Sequence, residues 1–151
     1  MRVDPPGLTV RTLAGSMSAL GVAAHYVSRH PPFDAFPAAS LMRTLSGQIE
    51  RQHYRVALDG QRVVGYLGWA LYGRASAERF AATGKPPADS NEAQPEVVWI
   101  LTAVVTRPEA LLALYRAVRA QYPGLRLMAM RHKAGGRRVV YRRVLRSTGD
   151  T

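Results

Sequence analysis

The stretch from His53 to Ala70 restricts the fold more than any other part of the sequence, because it predicts a β-hairpin. Apolar residues alternate along Tyr54 to Leu58, and Asp59-Gly60 then supplies a turn that tolerates positive φ. The return strand, from Val63 to Trp69, is rich in β-branched and aromatic residues. We therefore expect an antiparallel pair whose second strand is the more buried of the two.

Two glycines, Gly65 and Gly68, interrupt the second strand of this hairpin. A glycine inside a strand leaves no side chain to pack, which is costly unless another backbone, a ring or a ligand comes close. The sequence therefore predicts a close neighbour at both positions.

The hairpin also belongs to a longer pattern of residues that is typical of one enzyme family. The matching residues are Leu20-Gly21, Pro31, Pro37, Tyr54, Val64, Tyr66 and Trp69-Ala70. In this pattern the chain resembles the RTX toxin-activating lysine acyltransferases, small cytoplasmic enzymes that move a fatty acyl chain from acyl carrier protein onto lysines of a protoxin. The match runs without a gap from about Leu20 to Ala70, and it resumes more loosely from Trp99 to about Arg143.

Length and composition indicate a single globular domain. A chain of 151 residues with 47% hydrophobic content can bury a core of its own. We expect a loose N-terminal leader over residues 1–15, one domain over 16–146 and a short tail over 147–151. No apolar run reaches the roughly eighteen residues of a membrane span, and the proline-containing N-terminus does not read as a secretory signal. Without cysteines, and with four scattered histidines, the sequence predicts no disulfide and no zinc site in a cytoplasmic protein.

The remaining segments predict helices and strands in the order α-α-β-β-α-β-α-β-β. Helical spacing places two sets of residues inward: Ala19, Val22, Ala23, Tyr26 and Val27, then Leu41, Met42, Leu45 and Ile49. Residues 97–105 form a continuous apolar run that reads as a buried strand, and 125–131 reads as another. We expect an α/β (α+β) protein with a mixed, mostly antiparallel central sheet flanked by helices. This agrees with the acetyltransferase-like (GNAT-like) fold that the resemblance implies.

Positive charge is concentrated in the C-terminal third of the chain. Between Arg107 and Arg146 there are eleven Lys and Arg residues against one acid, Glu109, which gives +10 of the net +11. Such a surface attracts acidic partners at long range, and acyl carrier protein, nucleic acid and an anionic membrane surface all qualify. No recognised nucleic-acid motif is present. The candidate docking residues are Arg131, Lys133, Arg137, Arg138 and Arg142; a hairpin turn with solvated arginines is the alternative.

The resemblance also places the acyl donor. It implies that the donor lies where two adjacent parallel strands splay, here 97–105 and 125–131, with backbone groups near Trp99 to Ala103 facing the thioester. Tyr66, Trp69 and Trp99 would line the acyl pocket together with Ala103. The alternative is that these aromatic residues only form the core, as buried aromatics usually do.

The acid/base residues that the resemblance calls for are missing. The position of the family's histidine falls on Phe33, and that of its aspartate falls on Thr102. Phenylalanine cannot accept a proton, and threonine is a poor base. Two histidines lie close enough in the sequence to be considered as substitutes, His30 three residues before Phe33 and His25 on the first helix. His30 is the candidate replacement base, whereas Thr102 could hydrogen-bond a carbonyl or orient a water.

Two functions follow as expectations. The first is a divergent lysine acyltransferase that binds no cofactor and takes acyl-ACP as donor, with a protein such as an RTX-like toxin as acceptor. The second is a catalytically inactive relative that binds acyl carrier protein or another acidic macromolecule, nucleic acid being the weaker option. The oligomeric state is left open, with a homodimer as one candidate.

Overall fold

The computed structural model describes residues 7–87, 94–132 and 138–147. The strands are β1 (Leu8–Arg11), β2 (Tyr54–Asp59), β3 (Arg62–Tyr72), β4 (Val97–Val105), β5 (Arg126–His132) and β6 (Arg138–Val144). The helices are α1 (Ser16–Val27), α2 (Ala38–Glu50), α3 (Arg74–Thr83) and α4 (Pro108–Gln121), with a short 3-10 helix at Phe33–Ala35.

The six strands form a sheet in the order β1-β2-β3-β4-β5-β6. Strand β2 is antiparallel to both β1 and β3, β6 is antiparallel to β5, and β4 is parallel to β5. The mixed, mostly antiparallel sheet with flanking helices confirms the predicted fold class.

The predicted hairpin is present as β2 and β3. Asp59 pairs with Arg62 across the turn, where Gly60 has a φ of 61°. The return strand is buried continuously from Val64 to Ala70, as its composition predicts. The hairpin therefore forms the second and third strands of the sheet from residues that are close in sequence.

The N-terminal segment differs from the prediction of a loose leader, because residues 8–11 form the edge strand β1. Leu8 pairs with Asp59 and Arg11 with Val56, and the Leu8 side chain is buried. The chain breakers end at Gly7, so the alternating LTVR that follows is free to pair with β2. The Tyr54 hydroxyl accepts a hydrogen bond from the Leu13 N–H (2.9 Å) and donates one to its carbonyl (3.2 Å), which fixes the segment after β1.

Two compact units divide the chain. The first comprises Met1–Gly68 and Thr102–Ala117, and the second comprises Trp69–Leu101 and Val118–Thr151. The core of the first unit packs α1 and α2 against the sheet and includes Tyr26, Val27, Leu45, Tyr54, Val56, Tyr66 and Val104. Val22 and Met42, which helical spacing grouped with the residues of these two faces, are exposed.

Helix α4 lies close to β3 in the first unit. A Cβ atom on Gly65 would be 3.0 Å from Leu114 Cδ1 and 3.2 Å from the Ala110 Cβ. Glycine at this position therefore lets the helix approach the strand, and the predicted close neighbour is an α-helix.

The core of the second unit is built on aromatic rings. Trp99 stacks on Phe80 of α3 with centroids 4.3 Å apart and an interplanar angle of 10°, and Tyr72 packs against both rings. The cluster also contains Ala70, Ala77, Val97 and Met128. Within the described residues, no helix has the length and apolar character needed to cross a membrane.

Candidate functional site

The parallel pair β4 and β5 is paired over only part of its length. The pairing begins with Val97 opposite Arg126 and ends with Ile100 opposite Ala129. Both strands continue beyond that last pair, β4 to Val105 and β5 to His132. In the second unit, Leu101 and Met130 are the residues that follow the last pair. Backbone N–H groups beyond the end of a ladder can donate to a bound carbonyl or to an oxyanion.

The two tryptophans assigned to the acyl pocket have well-defined protein neighbours. Trp99 belongs to the stack with Phe80 and Tyr72. Trp69 packs edge to face against Tyr122, and its Nε1–H donates to the Tyr122 hydroxyl at 3.1 Å. Both indoles are almost fully buried, so each one contributes to packing whatever else it does.

Thr102 and Tyr66 are joined by a buried side chain that the sequence did not single out. The Tyr66 hydroxyl donates to Gln48 Oε1 at 2.7 Å, and Gln48 Nε2 donates to Thr102 Oγ1 at 3.0 Å. Tyr54 stacks on Tyr66 with centroids 6.0 Å apart. Burial, reinforced by Tyr54, raises the pKa of Tyr66, so the phenol stays protonated and acts as a donor.

Gln48 also accounts for the second glycine of β3. A Cβ atom on Gly68 would overlap the side-chain amide of Gln48. The predicted close neighbour at Gly68 is therefore a polar side chain from α2. Its amide reaches the threonine at the family's aspartate position only because residue 68 has no side chain.

His30 lies just after α1 and has a defined tautomer. Its Nδ1 is 2.7 Å from the Tyr26 carbonyl oxygen, and its ring centroid is 4.8 Å from that of Tyr26. Because a carbonyl oxygen only accepts, Nδ1 carries the hydrogen, and in the neutral ring the lone pair lies on Nε2. This tautomer is the one in which Nε2 can accept a proton.

Phe33, at the family's histidine position, is held by the same turn. Its N–H donates to the His30 carbonyl at 2.9 Å, and its ring packs edge to face against Phe36. The ring is half-buried against the core of the first unit. Among the described residues, no hydrogen bond joins His30 to Thr102, so the structure does not bring the two predicted residues into direct contact.

A second hydrogen-bonded chain starts from Tyr26. Its hydroxyl donates to Thr106 Oγ1 at 3.3 Å, and that hydroxyl donates to the Val64 carbonyl at 3.3 Å. Burial raises the pKa of Tyr26 despite its bonds to Thr106. Tyr26 therefore holds His30 through its backbone and ring, while its side chain ties α1 to the sheet.

The predicted docking residues fall into two groups. Arg142 forms a bidentate ion pair with Glu78 of α3, with contacts of 2.7 and 3.1 Å, and Arg126 lies 4.0 Å from the same carboxylate. The hydrogen bonds from Arg142 lower the pKa of Glu78. Arg131 is exposed, whereas Lys133, Arg137 and the side chain of Arg138 lie outside the described part of the chain.

Sequence reasoning missed three residues that take part in these contacts: Gln48, Glu78 and Tyr122. A signal existed for Gln48, because it continues the helical spacing of Leu41 and Leu45 along the buried face of α2. A polar residue on such a stripe indicates a buried hydrogen-bonding partner.

Solved structures resemble this fold, whereas no protein-family model and no curated protein matches the chain. The structure of GphF, a GNAT-like decarboxylase in complex with isobutyryl-CoA, superposes with a TM-score of 0.55 over 81% of this chain at 17% identity. The chain has a GNAT-like fold. It spans 65% of the length of GphF, which is less than two thirds. The likeness confirms the fold that the family resemblance implied, and it does not extend to the toxin-activating family itself.

Two further structures are similar to a lesser degree. One is described as histone acetyltransferase HPA2 and related acetyltransferase from Corynebacterium glutamicum, with 19% identity, a TM-score of 0.49, and 85% and 77% of the two chains covered. The other is N-acetylglutamate synthase from Neisseria gonorrhoeae with coenzyme A and N-acetyl-glutamate, with 11% identity, a TM-score of 0.42, and 85% and 26% covered.

Proposed function

We propose that this protein transfers an acyl group from the thioester of an acyl carrier protein to a lysine of a protein substrate. The observation that carries the proposal is the GNAT-like fold with a β4–β5 register that ends at Ile100 and Ala129. GphF, which shares the fold, is described in complex with isobutyryl-CoA, itself an acyl thioester. A carrier-bound thioester presents the same reacting carbonyl.

The reaction needs a neutral amine and a place for its proton. The lysine nitrogen attacks the thioester carbonyl, the C–N bond forms and the C–S bond breaks. The departing thiolate then takes up the proton that the amine has lost, so the carrier leaves as its thiol. We assign the proton to Nε2 of His30, because Nδ1 is held as a donor by the Tyr26 carbonyl. We assign the carbonyl oxygen to the backbone N–H groups of β4 at Thr102 and Ala103, which belong to the same unit as His30. No bound cofactor is required.

The charge distribution supports an acidic carrier as the donor. Arg131 is exposed on β5, and Lys133, Arg137 and Arg138 follow it in the sequence. Arg142 is already engaged by Glu78, so its contribution to docking requires that this ion pair opens. The acceptor in this proposal is a cytoplasmic protein such as an RTX-like protoxin, and the enzyme acts as a monomer or homodimer.

A second candidate function is binding without catalysis. The observation that favours it is the environment of Thr102, whose hydroxyl is buried and already bonded to Gln48. In addition, Phe33 stands where the family resemblance calls for a histidine. A protein that keeps the acyl-donor fold but lacks the family's acid and base would still bind an acyl carrier.

Intact mass spectrometry separates the two candidates. The protein is mixed with a panel of acyl-ACPs and a lysine-containing acceptor, and acyl transfer is read from the mass of the acceptor. We expect transfer by the wild type and its loss in His30→Ala. His25→Ala is the matched control, because His25 is an exposed histidine of α1 that contacts Arg29 instead. Stable binding of acyl-ACP with no acylated product would favour the second candidate function. If the protein neither binds acyl-ACP nor acylates the acceptor, both candidate functions are rejected.

A further inference from the structure

Strand β6 forms an edge of the sheet, with β5 on its inner side. The Leu145 N–H donates to the Leu125 carbonyl at 2.8 Å, so the backbone of Leu145 faces β5. Successive residues of an antiparallel strand direct their N–H and C=O groups to opposite sides. The backbone groups of Val140, Arg142 and Val144 therefore point outward, where no other strand pairs within residues 7–87, 94–132 and 138–147.

The side chains of this edge combine apolar surface with positive charge. Tyr141 is 48% exposed and Val144 is 53% exposed. From Arg126 to Arg146 the sequence has eight Lys and Arg residues and no acid. An edge strand with exposed apolar side chains is a template for strand addition, and here the added strand would lie in a positive field.

Charge decides which strand fits this edge. Residues 126–146 carry eight Lys and Arg residues and no acid. Glu78 balances one of these charges through its bidentate contact with Arg142, so a net positive charge remains along this edge. Pairing with a second copy would bring two such positive edges together, and like charges across strands are destabilising. An acidic strand would be attracted to the same edge.

We propose that the outer edge of β6 binds an acidic, extended peptide segment of a partner protein by strand addition. The backbone groups of Val140, Arg142 and Val144 supply the main-chain hydrogen bonds, and the basic side chains select an acidic sequence. This site depends on the edge geometry and its charge, and it is independent of acyl transfer.

Fluorescence anisotropy of a labelled short peptide that alternates glutamate with valine tests the proposal. We expect saturable binding that weakens with added salt. Val144→Pro should weaken it about three- to tenfold, because proline removes an outward N–H while leaving the pairing with β5 intact. Val144→Ala is the matched control, since it shortens the side chain and keeps the N–H. Unchanged thermal stability of Val144→Pro shows that the strand itself is preserved.

A second probe separates strand addition from simple charge attraction. The same peptide, N-methylated at alternate residues on its pairing edge, keeps its charge and loses the main-chain donors, so it should bind far more weakly. Equal binding of the methylated peptide would overturn the proposal in favour of a purely electrostatic contact, as with a helical carrier. A concentration-dependent dimer that Val144→Pro dissociates would overturn it in favour of a second copy.

Discussion

The side-chain amide of Gln48 occupies the space that a methyl group on Gly68 would need. That amide bonds both the Tyr66 hydroxyl and the Thr102 hydroxyl, and all three side chains are buried. A strand glycine and a helix glutamine thus form one feature of the fold. A substitution that displaces the Gln48 side chain therefore removes a hydrogen-bond partner from two buried hydroxyl groups, those of Tyr66 and Thr102.

Gly68→Ala should destabilise the protein by about 1–3 kcal/mol. The added methyl group forces Gln48 out of place, and a buried polar group that loses its partner costs about that much. Urea denaturation monitored by circular dichroism measures the change. Gly21→Ala is the matched control: Gly21 lies in α1 with nothing within 4 Å of an added Cβ, so there we expect a gain of about 0.5–1 kcal/mol. An equal change in the free energy of unfolding for Gly68→Ala and Gly21→Ala would contradict the contact between Gly68 and Gln48.

Trp99→Ala should cost about 3–5 kcal/mol of the free energy of unfolding. The substitution leaves a cavity beside Phe80 and Tyr72, whose rings pack against the indole. Tyr141→Ala provides the comparison, because Tyr141 is an exposed aromatic residue whose removal should change stability little. A soluble Trp99→Ala protein with unchanged thermal stability would show that the second unit does not rely on this stack.

The second candidate function predicts little or no acyl transfer by the wild type, and the double change Phe33→His with Thr102→Asp should then raise transfer from acyl-ACP to a lysine acceptor. If His30 is the base, the wild type is already active and His30→Ala is not. The double change restores the side chains that the family resemblance calls for, and a general base contributes about a hundred- to ten-thousandfold in rate. The Gln48 amide now donates to Thr102 Oγ1 and is placed to donate to the introduced carboxylate. Phe33→His with Thr102→Asn is the control, since the asparagine amide has a shape similar to that of the aspartate carboxylate and carries no charge. An equal rate in both variants would argue against a role for the carboxylate.

Glu78→Gln should lower stability at neutral pH and have no effect in acid. The pKa of Glu78 lies below its usual value of 4.5 because Arg142 donates hydrogen bonds to it, so the folded state favours the ionised form. The stabilisation is present above pH 4.5 and is lost as the pH falls through the lowered pKa. Both side chains are well exposed, so the effect should stay below about 1 kcal/mol. Urea titrations at neutral pH and near pH 3 measure the difference in the free energy of unfolding between the wild type and Glu78→Gln, with Glu50→Gln as the control. A loss of stability in Glu78→Gln that persists in acid would contradict the contribution of the ion pair.

The parts of the fold that follow from local periodicity could be predicted. The alternation in β2 and β3 and the turn at Gly60 are properties of neighbouring residues, and they gave the hairpin its correct place. Strand β1 was missed because it has only four residues next to a run of chain breakers, and its stability comes from pairing with residues about fifty positions away.

The candidate site depended on contacts that no local pattern contains. Gln48 meets Tyr66 and Thr102 across sequence separations of 18 and 54 residues, and only the packing of α2 against the sheet brings them together. Likewise, the sequence counted Arg142 among the docking residues, because its partner Glu78 is 64 residues away on another element. The tautomer of His30 needed the position of a single backbone oxygen.

The division of the chain into two compact units limits how the protein can be dissected. The chain passes from one unit to the other after Gly68, Leu101 and Ala117, and each of these residues lies inside a strand or a helix. No single cut releases either unit as a continuous polypeptide. The expression of one unit by itself would therefore require the joining of two separate segments of the chain.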